Sequence, residues 1–108
     1  MPTYQKLVHD RIPEIIQTAG KSFNSRILSE AEFIDEVNKK MHEELAEYEH
    51  ANSAEEAIEE LADLLELIHA AITHYGVSFD ELDTVRKDKV HKRGGFEQRI
   101  FLEDVEDD

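Results

Sequence analysis

Five carboxylates within a short stretch have the types and spacing to do chemistry together. Glu43-Glu44-x-x-Glu47 is followed, after twelve residues, by Glu60-x-x-Asp63. On a helix, residues three apart differ by roughly 60° in direction, so Glu44 and Glu47 share a face one turn apart, as do Glu60 and Asp63. Four like charges facing one another repel and raise each other's pKa unless a cation neutralises them. Oxygen-only ligands favour Mg2+ or Mn2+, and Mg2+ keeps waters and takes phosphate oxygens from a substrate. One ExxE pair on an acidic helix is ordinary solvated surface, because Glu is simply a good helix former. Two pairs at matched height are harder to dismiss.

The elements that must position these residues have clear boundaries. Ser29-Glu30-Ala31-Glu32, Ser53-Ala54-Glu55-Glu56 and Ser78-Phe79-Asp80-Glu81 each carry a capping-box pattern, Ser at the cap and Glu three residues on. They predict helices at about 30–50, 54–75 and 79–91, with Gly76 ending the second of these. A shorter helix near 11–19 fits Pro13 in its first turn and Gly20 past its end. Residues 21–28 read as an extended connector, and the fold class is all-α. The linker near Asn52 makes helices 30–50 and 54–75 an antiparallel hairpin. Glu44 and Glu60 are then each about eight residues from the turn, roughly 12 Å at the helical rise. The apolar positions Phe33, Ile34, Val37, Met41, Leu45 and Tyr48 form a stripe, and Glu44 falls inside it, between Phe33 and Val37 in angle. A charged residue seldom occupies such a place unless it is paired or binds a cation.

Helix 54–75 is apolar over more than half its circumference, more than one partner helix covers. Self-association into a four-helix-type bundle, a homodimer or tetramer, is the expected remedy. The chain has 108 residues, no Cys, no Trp and a formal net charge of −14. Disulfide frameworks, thiolate metal sites and cysteine nucleophiles are excluded. Residues 29–66 hold 14 acidic residues against two basic ones. That balance argues against a nucleic-acid polymer as partner. No stretch is apolar enough for a membrane, and the opening residues lack a signal-peptide core, so a cytoplasmic protein is expected. Arg86, Lys87, Lys89, Lys92 and Arg93 crowd into a basic segment, and residues 103–108 form an acidic tail after a single domain at 1–102. The six His residues contain no HxxxH pair, which argues against zinc.

The acidic motif resembles the signature of the all-α, MazG-like nucleoside triphosphate pyrophosphohydrolases. Tyr4-Gln5-Lys6-Leu7-Val8-His9-Asp10-Arg11-Ile12-Pro13 is similar to the opening of a phosphoribosyl-ATP pyrophosphohydrolase-like subgroup, as is Lys89-x-x-x-Arg93-Gly94-Gly95-Phe96. The resemblance covers about residues 4–102. It implies cleavage between the α and β phosphates of a nucleoside triphosphate, giving monophosphate and pyrophosphate. Glu44, Glu47, Glu60 and Asp63 would ligate Mg2+, with Glu43 beside them either supporting those ligands or activating water. Lys89, Arg93 and Lys40 would contact phosphate. House-cleaning of non-standard nucleotides is the expected role. The alternatives are phosphoribosyl-ATP hydrolysis in histidine biosynthesis and a non-enzymatic helical dimer that binds a basic partner.

Overall fold

A computed structural model describes residues 4–107; Met1 to Thr3, on which the signal-peptide reading partly rests, and the tail residue Asp108 lie outside them. Among the described residues there are four helices and no strand: α1 (Ile12–Thr18), α2 (Glu30–Glu49), α3 (Ala54–His74) and α4 (Phe79–Arg93). The chain divides into two compact units, Met1–Gly76 and Val77–Asp108.

In the first unit, α2 and α3 pack on each other as a hairpin. The start of α2 is heavily reinforced. Ser29 Oγ accepts from the Glu32 N–H while Glu32 accepts from the Ser29 N–H, so two backbone donors without helical partners are satisfied reciprocally. Arg26 grips the same carboxylate through both terminal nitrogens, at 3.3 and 2.8 Å. The Arg26 hydrogen bond, together with those from Ser29, holds the Glu32 carboxyl down to about 2. At α3 the expected box is only half formed. Ser53 caps Glu56, but the Glu56 carboxylate accepts from the Asn52 N–H one residue earlier, which ties down the loop rather than the cap. Gly76, at φ 73°, takes the left-handed turn that ends α3, with its N–H on the Thr73 carbonyl. Residues 21–29 carry no regular structure, as the extended connector requires.

In the second unit, Ser78 caps α4 through the Glu81 N–H. Asp80 and Glu81 occupy its first turn and His91, Lys92 and Arg93 its last, the arrangement that suits the helix dipole. This helix runs two residues past the expected end. The basic residues favour its C-terminus, and Gly94, at φ 82°, supplies the stop.

Candidate metal centre

Two side chains are buried among the described residues, and they lie seven apart on α2: Val37, with no exposure, and Glu44, 6% exposed. Glu44 is thus buried within the apolar stripe of α2, as its angle between Phe33 and Val37 requires. The hairpin brings Glu47 and Glu60 to it, so that one carboxylate oxygen from each of the three lies within 4.8 Å of the others. Glu44 Oε2 and Glu60 Oε2 are shut off from solvent with no hydrogen-bond donor. Buried oxygens of this kind are costly unless a proton or a cation reaches them.

The electrostatics show how strained the arrangement is with protons alone. Burial first, then a hydrogen bond with Glu60 and the charges of Glu47 and Asp63, pushes the Glu44 carboxyl up to about 8. The hydrogen bond with Glu44 draws Glu60 down, but Glu47, burial and the Asp63 charge outweigh it and raise Glu60. Both carboxyls are thus raised, and their protons belong to the pair rather than to either residue. A hard divalent cation fits this donor set. Its ligands would be carboxylate oxygens alone, two of them buried and without partners, and its charge would replace the retained proton.

Asp63 stands outside the three converging residues. It acts on Glu44 and Glu60 through its charge, while its Oδ1 lies 3.8 Å from His9 Nε2. Glu43, next to Glu44 on α2, is engaged by two lysines instead. Its Oε1 accepts from Lys6 Nζ at 3.0 Å and has Lys40 Nζ 3.7 Å away. The Lys6 hydrogen bond lowers the Glu43 pKa against the opposing effect of burial, and Lys40 adds to the lowering. Lys40 also lies 3.9 Å from Glu44 Oε1, so one ammonium spans both neighbouring carboxylates. Lys89 and Arg93 are exposed residues of α4, in the second unit. Lys6 and His9, which reach back to Glu43 and Asp63, escaped the reading of spacing. Their partners lie 37 and 54 residues away, and no periodicity records such a pairing.

A family model of phosphoribosyl-ATP pyrophosphohydrolase matches residues 1–93, a span that includes both helices of the carboxylate cluster. The chain belongs to that family. Phosphoribosyl-ATP pyrophosphohydrolases are part of the MazG-like superfamily. An uncharacterized protein of Mycolicibacterium smegmatis is 39% identical over 54 residues, which is 50% of this chain and 55% of that protein. The chain thus spans about half the length of the curated relative it matches. No solved structure matches it. Among the described residues no helix is long and apolar enough to cross a membrane.

Proposed function

We propose that this family member is a divalent-metal-dependent pyrophosphohydrolase that cleaves the α–β anhydride of a nucleoside triphosphate. The products are a nucleoside monophosphate and pyrophosphate. The observation that carries the reading is Glu44, buried on the apolar face of α2 with an oxygen that lacks a donor, at the meeting point of Glu47 and Glu60. Glu44, Glu47 and Glu60, with Asp63 alongside, hold Mg2+ or Mn2+. When bound, such an ion neutralises phosphate charge and lowers the pKa of water. The rest belongs to this chain's own groups. The cluster sets the position of the scissile anhydride, and Lys40 places a positive charge beside it. Glu43, kept ionised by the lysines beside it, is an acceptor for a proton from water near the cluster once substrate phosphates take up those lysines. Lys89 and Arg93 contact phosphate, as their family block implies.

Non-standard nucleoside triphosphates are the proposed substrates, in a house-cleaning role in the cytoplasm. The family's name favours a second substrate, phosphoribosyl-ATP, whose α–β anhydride is cleaved in the same way. Pairing of two chains covers the exposed α3 positions Ile58, Leu61 and Leu65 and completes a four-helix-type bundle. The test is pyrophosphate release, with and without Mg2+ or Mn2+, over standard and modified nucleoside triphosphates and phosphoribosyl-ATP. Metal-dependent release that Glu44→Ala and Glu60→Ala both abolish is the expected result. Release at near full rate by either variant would refute the site.

A further inference from the structure

One small cavity gathers positive charge where the chain has almost none. Residues 29–66 contain only two basic residues, Lys39 and Lys40, and both line a cavity of about 190 Å3 beside α2. The third lysine, Lys6, comes from the N-terminal segment, and Glu36 and Glu43 complete the charged lining. Lys39 is taken up by Glu36 at 3.2 Å. Lys6 and Lys40 converge instead on a single oxygen, Glu43 Oε1, at 3.0 and 3.7 Å. Lys40, only 15% exposed, links the cavity to the buried cluster through its contact with Glu44. The backbone adds an independent sign of constraint. Gln5, next to Lys6 and in the same lining, is held at φ 47°, a left-handed conformation uncommon for a residue with a side chain. Such conformations persist where the surroundings impose them, often at ligand clamps.

We propose that this cavity seats the terminal phosphates of the substrate and the pyrophosphate that leaves, with Lys6 and Lys40 as their ligands. Glu43 is the resident stand-in, an anion that keeps both ammonium groups in place until phosphate oxygens displace it. This rests on the pyrophosphohydrolase reading for its place in a reaction, but not for its ligand chemistry. Lys6 and Lys40 aim two ammonium groups at one carboxylate oxygen, and a polyanion offers several oxygens at once to such a pair of donors. A nucleotide held at the Glu44 cluster by its α–β linkage lies one residue of α2 from the cavity, so its β and γ phosphates have the lysines within reach.

Binding of inorganic pyrophosphate to the full chain, measured by calorimetry in Mg2+, is the test. Lys6→Met should weaken binding roughly tenfold to a hundredfold, the scale of one hydrogen bond to a charged group. Lys6→Arg should restore most of it, and the equally charged control Lys21→Met should change nothing. Glu43→Gln should tighten binding by freeing Lys6, and that gain should vanish in the Lys6→Met background. A general loss of repulsion would instead persist there. Helical circular dichroism checks each variant, with Lys6→Gln as the substitute if Lys6→Met does not fold. Equal affinity for Lys6→Met and Lys21→Met, or no pyrophosphate binding by the wild type, overturns the proposal. Lys6-dependent binding in a protein that hydrolyses no triphosphate would uphold the pocket and refute the pyrophosphohydrolase reading.

Discussion

Removing the Glu44 charge should change how the metal-free protein's stability responds to pH, and the size of the effect follows from the site. The folded chain raises the Glu44 carboxyl from 4.5 to about 8. The native state therefore binds more protons than the unfolded state between those values, and stability falls as pH rises through that window. At 1.36 kcal/mol for each tenfold change in proton affinity, the full displacement corresponds to about 5 kcal/mol. Proton sharing with Glu60 returns part of this, so about 2–5 kcal/mol is the expected range. That is a large share of a small domain's stability. Glu44→Gln keeps the shape and loses the titration. With EDTA present, urea midpoints measured from pH 5 to 9 should fall steeply for the wild type and much less for Glu44→Gln. At a slope of about 2 kcal/mol per molar urea, the gap between the two curves should change by about 1–2.5 M. Groups remote from the cluster are common to both proteins and cancel in that comparison, so the difference reports Glu44 together with the Glu60 carboxyl it is bonded to. Added Mn2+ or Mg2+ at a hundredfold its Kd should restore about 2.7 kcal/mol to the wild type at pH 9. Parallel curves for the two proteins would show that Glu44 does not carry the buried charge and would sink the reasoning.

Three further outcomes are expected. Glu47→Gln removes a like charge from the cluster, so the Glu44 pKa should drop, seen by carboxyl-resolved NMR, while metal affinity measured by calorimetry falls at least tenfold. Ser29→Ala breaks the reciprocal cap of α2 and should cost about 1 kcal/mol in thermal unfolding, with Ser78→Ala similar. Leu61→Lys on the exposed α3 stripe should reduce the mass seen by light scattering to that of one chain if two chains pair there; an unchanged multimer would place the interface elsewhere.

Most of the scaffold was legible because its signals are local. A Ser at a cap and a Gly past the last turn act on neighbours a few residues away, and the starts of α2, α3 and α4 fell where those residues put them. Glu44 was legible for a related reason: its direction relative to Phe33 and Val37 follows from helix geometry alone. What stayed hidden depends on contacts between distant parts of the chain. The Lys6 bridge to Glu43 and the His9 approach to Asp63 arise from the path of an irregular N-terminal segment, which has no period to read. The half-formed box at Ser53 was hidden too, since Glu56 could reach either of two adjacent N–H groups and the loop conformation chose Asn52.

The short connection between α2 and α3 bears on how the family could vary. The carboxylates are placed by helix periodicity on each arm and by packing between the arms, not by the loop that joins them. Lengthening the chain at Asn52 would leave every carboxylate of the cluster where it is, and doubling the loop would cost only about 0.6 kcal/mol in closure entropy. One residue inserted at Ala46 would swing Glu44 about 100° away from its relation to Glu47 and break the cluster, although both helices would still form. Insertions should therefore leave the cluster intact at the hairpin tip and break it a turn and a half below.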